Sequence, residues 1–307
     1  MSRPPPLHNP ATDLASISAS LPALWGYIEP ALDHIFRSPS NDMAKAPKID
    51  ASYYMWIAAA LFNYMKPSKG DARSSADLYA RLDAYFAGVA QELLLGVPQD
   101  RDPNTLVQYL VPTYTRYAAG AVVANRMLNN LNRHFVKREI DEGRGWLPLT
   151  STHEPGLSEL SGSRRTRERH LSELRKWGWE EGEPEEVLMQ AQASGEAASE
   201  QKRIVWIASL AHRRFRTEFL EPLLAAPRSG TVTISEGANR SPRPKSRMER
   251  AAEELTKSTS SIPEVATQLA KDMTHMLKRC GVQPDHPVRK QLDSYIDSVA
   301  SFEPTET

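Results

Sequence analysis

The sequence contains a single cysteine, Cys280, and no excess of charge of either sign. One cysteine excludes an internal disulfide framework and a metal site built from cysteines alone, and it suits a reducing compartment. The 38 basic and 38 acidic side chains cancel each other, so no long-range field draws the chain to nucleic acid or to an anionic membrane. Disulfide scaffolds and binding by bulk charge are therefore not expected.

Long apolar runs are missing as well. No 18-residue apolar stretch occurs, and the N-terminus, with Pro4, Pro5 and Pro6, lacks the apolar region of a signal peptide. A length of 307 residues with a mean hydropathy of -0.51 suffices for one modest core and leaves much solvated sequence. We therefore expect a soluble protein of the cytoplasm, the nucleus or both, without membrane contact.

Apolar residues recur at helical spacing in the first half of the chain, and no strand-like alternation competes with them. The predicted helices are 21–36, about 50–65, about 75–95, roughly 104–117 and 119–140. Pro30, in the middle of the first, predicts a kink or a break. The pattern predicts an all-α bundle of five helices. Its expected core side chains are Trp25, Leu61, Leu82, Phe86, Leu131 and Phe135.

The remaining sequence predicts disorder with few helices. Residues 1–19 form an expected disordered leader, and 145–203, rich in Ser, Gly, Glu and Arg, form an expected disordered insert. Helical spacing returns at 204–226. The rest, 227–307, predicts a linker and then two weak helices near 263–277 and 288–299. The sequence leaves open whether the insert is genuine or an artefact of the gene model.

The sharpest motif closes the fifth predicted helix, where residues 131–144 read LNRHFVKREIDEGR. This string resembles the Leu-Asn-Arg-His-Trp-Val stretch of SCF-class cullins and the Asp-Glu-Gly-Arg that follows it in that family. Further matches stand in the family's order and at near-equal spacing. They are Leu24-Trp25, Tyr54-Met55, Phe62-Asn63-Tyr64, Leu78-Tyr79, Arg81-Leu82, Ser209-Leu210-Ala211, Phe215-Arg216 and Pro222-Leu223. Over 21–144 and 204–224 the chain thus resembles the N-terminal part of a fungal cullin.

This resemblance implies a cullin repeat, a five-helix unit of a helical solenoid, over 20–144 and the start of a second repeat at 204–226. It implies a scaffold without catalytic residues or cofactors, whose partner is a Skp-type or BTB-fold adaptor in a ubiquitin ligase. The sequence shows no counterpart of the RING-binding end of a full cullin. We therefore expect no RING protein as partner, and a truncated or decoy form of the scaffold.

The resemblance also places the adaptor on helices two and five. Helix two supports this with two apolar stripes, one through Ile57 and Leu61 and one through Tyr54, Ala58 and Phe62. One stripe can face the bundle and the other needs a neighbour; the alternative is a helix buried on both sides. The expected adaptor-binding residues are Tyr54, Met55, Ala58, Phe62, Val123, Met127 and Asn130.

Two of these residues depart from the family's pattern. Ala58 stands where the family usually has an aromatic side chain, and Asn130 precedes the Leu-Asn-Arg-His string where a second anchoring ring is missing. Truncating a single anchor of an interface can cost about 2 kcal/mol or more. These departures favour the alternative function, a degenerate helical-repeat interaction protein without a role in ubiquitin ligation.

The remaining polar residues do not form a pattern that indicates catalysis, metal binding or nucleic-acid binding. His134 has no second ligand at the spacing of a metal site. The basic cluster at 164–170 is followed closely by Glu173 and by the Glu180-Glu181 pair, which cancel its field. No phosphate-binding glycine loop or nucleophile motif occurs. The sequence thus predicts neither an enzyme, nor a metal or cofactor site, nor a nucleic-acid partner.

Overall fold

The computed structural model describes residues 14–39, 42–66, 72–99, 102–147, 159–227, 244–257 and 263–301. These residues contain many helices and no β-strand, which confirms the all-α class. The first five helices are α1 (Leu14–Ile17), α2 (Leu21–Arg37), α3 (Ala51–Tyr64), α4 (Ala72–Leu95) and α5 (Pro103–Met127).

Next comes the 129–144 segment, a bent helix in which α-helical and π-helical turns alternate. It consists of α6 (Asn129–Leu131), π-helical turns at Asn132–Val136, α7 (Lys137–Glu139) and π-helical turns at Ile140–Arg144. Its helical path breaks at Gly143, whose φ of 85° favours glycine over any other residue.

The second half of the described chain contains the remaining helices. Two of them, α8 (Glu159–Lys176) and α9 (Glu185–Ala198), come first. The 207–224 segment follows and consists of α10 (Ile207–Arg214), π-helical turns at Phe215–Leu220 and α11 (Glu221–Leu224). The last helices are α12 (Arg247–Lys257), α13 (Pro263–Arg279) and α14 (Pro287–Ala300).

Side-chain caps explain where three of the early helices begin. The side chains of Ser20, Asp50 and Asp102 each accept a hydrogen bond from a first-turn N–H, at 3.4, 2.8 and 2.9 Å. Such caps satisfy backbone donors that have no partner inside the helix. The bounds predicted for the first three helices agree with the structure, and α2 continues through Pro30 without splitting.

The predicted boundary between the fourth and fifth helices is wrong. α5 runs unbroken to Met127, because nothing between residues 117 and 120 stops a helix except Gly120, which α-helices tolerate. A Cβ at Gly120 would lie 2.8 Å from the ring of Phe36, so the glycine serves close packing. The chain departs from helical geometry at Leu128 instead, with φ of -99° and ψ of 21°.

The core of the bundle agrees with the sequence. Leu61, Leu82, Phe86 and Leu131 are fully buried, and Trp25 and Phe135 are 5% and 3% exposed. The 207–224 segment extends this core, because the ring of Phe215 lies 4.9 Å from that of Tyr117 on α5. The guanidinium of Arg214 donates from Nε to Oδ1 of Asp83 on α4, at 2.7 Å. The 207–224 segment, which the sequence predicts to begin a second repeat, therefore packs directly on the first bundle.

Asn132 of the LNRH motif fixes the start of this segment. Its Nδ2 donates to Oδ1 of Asn125 at 2.8 Å, and its Oδ1 accepts from the backbone N–H of Ile207 at 3.2 Å. Asn125 Oδ1 accepts in turn from the backbone N–H of Ala208 at 3.2 Å. Two asparagines of the first bundle thus supply acceptors that α10 lacks in its own first turn.

The disorder predicted for 145–203 does not hold for its described part. Residues 159–203 contain α8 and α9, joined by a small core in which Leu174, Trp177 and Ala191 are buried. The overall composition of this stretch does not indicate a core, because a few large aromatic rings provide most of the buried apolar surface. The two ends of the 145–203 stretch also lie next to each other, because the backbone N–H of Ile204 donates to the carbonyl oxygen of Arg144 at 3.0 Å.

Two other segments are more ordered than their sequences predict. In the expected leader, α1 packs on α3 and Ser18 is only 2% exposed. In the expected linker, α12 packs on α5 and buries Met248 and Leu255. Residues 1–13, which contain most of the leader, lie outside the described residues.

The two C-terminal helices predicted from weak periodicity are present as α13 and α14. Met273 and Leu292, one from each helix, are fully buried. α13 packs on α5 and α9, and α14 packs on α12 and α13. α12 and α13 thus cover a side of α5 that would otherwise expose apolar surface to water, and α14 packs against both of them.

Candidate protein-interaction face

α3 has two different sides, as its two apolar stripes predict. The first stripe is buried, since Ile57 and Leu61 are fully buried and Tyr64 is 8% exposed. The second stripe, with Tyr54, Ala58 and Phe62, lies between the buried side and solvent. The alternative in which α3 is buried on both sides is therefore wrong.

The second stripe of α3 lies beside a matching row of the end of α5 and the 129–144 segment. Asn130 Nδ2 donates to the backbone carbonyl oxygen of Ala58 at 2.8 Å. The rings of Phe62 and His134 meet edge to face, with centroids 6.4 Å apart. Both pairs step by four residues on each partner, so the two helical elements run in the same direction.

The Tyr54 end of the stripe continues this pattern toward Arg126. Burial raises the pKa of the Tyr54 hydroxyl above its ordinary value, and the nearby charge of Arg126 opposes that rise. Tyr54 with Arg126, Ala58 with Asn130 and Phe62 with His134 thus form a ladder with three rungs. We call the surface around this ladder the interaction face.

Apolar side chains stand exposed on the interaction face. Met55 is 65% exposed, Phe62 is 49% exposed and Val122, one turn before Arg126, is 43% exposed. Aromatic and methionine side chains are enriched in the centres of protein interfaces. A ring and a methionine held on a rigid helix can therefore bury apolar area against another protein at little entropic cost.

Most of the predicted adaptor-binding residues lie together on the interaction face, and one of them lies in the core. Tyr54, Ala58 and Asn130 are half-buried members of the ladder, and Met55 and Phe62 are its exposed apolar residues. Val123 is half-buried. Met127 is only 1% exposed and belongs to the core, so its assignment to the face is wrong. The α5 helix continues past the predicted break and turns Met127 inward.

Sequence reasoning missed two members of the ladder, Arg126 and His134. The sequence predicts a structural or solvent-facing role for His134, although this residue lies four positions after Asn130, a predicted site residue. The four-residue spacing of 126, 130 and 134 matches that of 54, 58 and 62, and this signal could have found both.

The part of the chain that the structure describes contains no cluster of side chains that indicates a metal site. Among the described residues, no group of three or more His, Cys, Asp or Glu side chains could hold a metal ion. No helix in the described ranges is long and apolar enough to cross a membrane. Cys280 is fully buried, and this burial raises the pKa of its thiol well above the ordinary value.

A cavity of about 520 Å³ lies between α8, the end of α9 and the turn at 283–285. Trp146 and Trp177 form part of its wall, and its charged lining contains equal numbers of cations and anions. The cations are Arg169, Lys176 and Arg203, and the anions are Glu173, Glu200 and Asp285. Because the opposite charges balance, the cavity favours neither an anionic nor a cationic ligand.

Comparison with known proteins gives one distant relative. The chain is 23% identical over 145 residues to cell division control protein 53 of Saccharomyces cerevisiae, a yeast cullin. The alignment covers 41% of this chain and 17% of the relative, so the chain spans less than a fifth of that protein's length. No model of a known protein family matches the chain, and no solved structure matches it. The similarity supports a distant relationship to cullins.

Proposed function

We propose that this chain is a non-catalytic, cullin-like scaffold that binds a Skp-type adaptor, or an adaptor of BTB fold, through its interaction face. The observation that carries the proposal is the exposed pair Met55 and Phe62 on a helix whose other side is fixed in the core. The sequence resemblance, from which an adaptor is expected on the same two elements, supports the proposal. The proposal assigns no reaction to the chain and keeps its expected location in the cytoplasm or the nucleus.

The interaction face is suited to a protein partner in its physical properties. The ladder holds α3 against the 129–144 segment through a hydrogen bond and an edge-to-face ring contact. Because both elements also bury residues in the core, the face is rigid before a partner arrives. Rigid anchors lose little conformational entropy on binding, and this raises affinity.

Adaptor binding can be tested with the full chain and the Skp-type adaptor of the same organism. Calorimetry should give a dissociation constant for the unaltered chain. Phe62→Ala should weaken binding at least tenfold, about 1.4 kcal/mol, because aromatic rings are enriched among the side chains that anchor interfaces. Met55→Ala should weaken binding less.

The control is Met189→Ala, which truncates a methionine of similar exposure, 56% against 65% for Met55. Met189 lies on α9, away from the ladder, so its truncation should leave the dissociation constant unchanged. An adaptor that does not bind the unaltered chain, or that binds Phe62→Ala equally well, would refute the proposal.

The scaffold could act as the arm of a ligase or as a decoy that holds the adaptor without a RING protein. Purification of the chain from its own cells separates the two, because a ligase arm co-purifies with both adaptor and RING protein. A decoy co-purifies with the adaptor alone.

One observation favours a second candidate, an interaction protein of this fold without a ligase role. The middle rung of the ladder is small and polar, and the amide of Asn130 is turned back onto the carbonyl of Ala58. That rung presents no apolar anchor to a partner. If the adaptor fails to bind while Phe62→Ala abolishes another protein contact of the chain, this second function replaces the first.

A further inference from the structure

Acidic residues are absent from α3 and from the continuous stretch of α5 and the 129–144 segment that ends at Arg138. Neither 51–66 nor 103–138 contains an Asp or a Glu. With 38 acidic residues in 307, a stretch of these combined lengths would hold about six on average. The chain as a whole is neutral, so its negative charge lies elsewhere and this face is positively charged.

Several cations of the face are exposed and have no carboxylate partner. Lys66, Arg126 and Arg133 are exposed, and none forms an ion pair within the part of the chain that the structure describes. The ammonium of Lys66 lies 5.2 Å from the centre of the Phe62 ring. The charge therefore surrounds the apolar anchor of the face.

Among the described residues, the acidic groups that flank these two stretches in sequence are already engaged. Asp50 caps the start of α3 and accepts from the backbone N–H of Ser52 at 2.8 Å. At the other end Lys137 pairs with Asp141 at 2.9 Å, and Arg138 lies 3.8 Å from Glu142. Neither end cancels the charge of Arg126 and Arg133 between them.

We propose that the interaction face recognises a protein surface in which carboxylates surround an apolar patch, and we infer this on the basis of the proposed function. Met55, Phe62 and Val122 supply the apolar centre of the match. Lys66, Arg126 and Arg133 supply a rim of charge, which raises the rate of association and excludes basic partners.

The apolar residues decide between protein and nucleic acid as the partner. Single-stranded nucleic acid binds through rows of aromatic rings on which successive bases stack. The two rings that the face exposes, Phe62 and His134, meet edge to face and stand beside the apolar side chains of Met55 and Val122. They therefore do not offer a row of parallel ring faces on which successive bases could stack. An acidic protein surface satisfies both the apolar centre and the cationic rim.

The test measures association and dissociation rates of the Skp-type adaptor with the full chain at several salt concentrations. Between about 0.1 M and 1 M NaCl the Debye length falls from about 10 Å to about 3 Å. The association rate of the unaltered chain should fall about tenfold or more over this range. The double variant Arg126→Gln/Arg133→Gln should associate about tenfold more slowly at low salt and should lose most of the salt dependence.

Two matched variants make the result specific. Arg169→Gln/Arg175→Gln removes the same charge from exposed positions on α8 and should leave both rates nearly unchanged. Phe62→Ala should raise the dissociation rate and keep the salt dependence of association. Thermal melting of each variant checks that the exposed substitutions leave the fold intact.

The outcomes separate this inference from the proposed function. If the adaptor binds with rates that neither salt nor the Arg126/Arg133 variant changes, the charge inference is overturned and adaptor binding stands. If the adaptor does not bind the unaltered chain at any salt concentration, both are overturned. Tight binding of single-stranded RNA, lost in the Arg126/Arg133 variant while adaptor binding persists, would assign the charge to nucleic acid and overturn the inference as well.

Discussion

The side-chain amide of Asn130 donates a hydrogen bond of 2.8 Å to the backbone carbonyl oxygen of Ala58. This bond joins the 129–144 segment to α3 at the centre of the interaction face. It also explains how two residues that lack anchoring rings still fit together, because a small side chain on α3 leaves room for the amide.

Replacement of Asn130 by alanine should lower the free energy of unfolding by about 0.5–1.5 kcal/mol, the usual net contribution of one such hydrogen bond. Urea denaturation measures the change. Asn129→Ala is the control, since Asn129 is exposed and its truncation should change stability by less than about 0.5 kcal/mol. Equal effects of the two substitutions would show that the bond contributes nothing.

Leu131→Ala should destabilise the chain by about 2–5 kcal/mol, because the side chain is fully buried and its loss leaves a cavity. Leu95→Ala makes the same chemical change at a leucine that is 85% exposed and should be nearly neutral. The difference between their melting temperatures measures the contribution of burial at Leu131. A loss below about 0.5 kcal/mol for Leu131→Ala would show that this position is not part of the core.

Gly195→Ala should destabilise the joint between α9 and the end of the first bundle. A Cβ at this position would overlap the ring of Trp146, so ring or helix must move at a cost of about 1–3 kcal/mol. Gly88→Ala in α4 meets no atom within 4 Å and should be neutral or stabilising by up to about 1 kcal/mol. Denaturation experiments measure the change in unfolding free energy for each variant. A loss of stability for Gly195→Ala without a loss for Gly88→Ala would confirm the close contact, and an equal loss for both would contradict it.

Glu196 of α9 should make stability depend on pH. Burial raises the pKa of its carboxyl from 4.5 to about 7, although hydrogen bonds from Ser209 and Gln192 lower it. The folded chain then binds more protons than the unfolded chain between these pH values. The contribution of Glu196 to stability therefore falls as pH rises from about 4.5 to about 7 and stays constant above that range.

The measurement is the difference in unfolding free energy between the unaltered chain and Glu196→Gln as pH is varied. Comparison with the variant is needed because His212, whose pKa burial lowers to about 3, makes stability rise with pH in both proteins. The unaltered chain should lose stability relative to the variant up to about pH 7. A difference between the two proteins that stays constant over this pH range would refute the prediction.

The early helices could be predicted because local signals and burial agree there. Capping residues such as Asp50 and Asp102 mark where helices start, and apolar spacing marks which side faces the core. The break after α5 could not be predicted in the same way. It is accompanied by a contact between distant residues, that of Ile207 with Asn132, which no local window contains.

The excursion at 145–203 was missed for a related reason. Its polar composition predicts disorder, yet Trp146, Trp177 and Trp179 each contribute to a core that α8 and α9 complete. The site was partly predictable, since the stripe through Tyr54, Ala58 and Phe62 follows from spacing alone. Arg126 and His134 share the four-residue spacing of Asn130, but the packing of this row against α3 is visible only in the structure.

The ion pair between Arg214 and Asp83 has a consequence for the order in which this protein can fold. Its two residues lie 131 positions apart, and the 207–224 segment that carries Arg214 fills part of the first bundle's core. At about 5–20 residues per second, a ribosome needs roughly 4 to 16 s after residue 144 to finish that segment. During this interval the nascent bundle exposes the apolar surfaces of α4 and α5, so the emerging chain is a natural client for chaperones until its own later helix arrives.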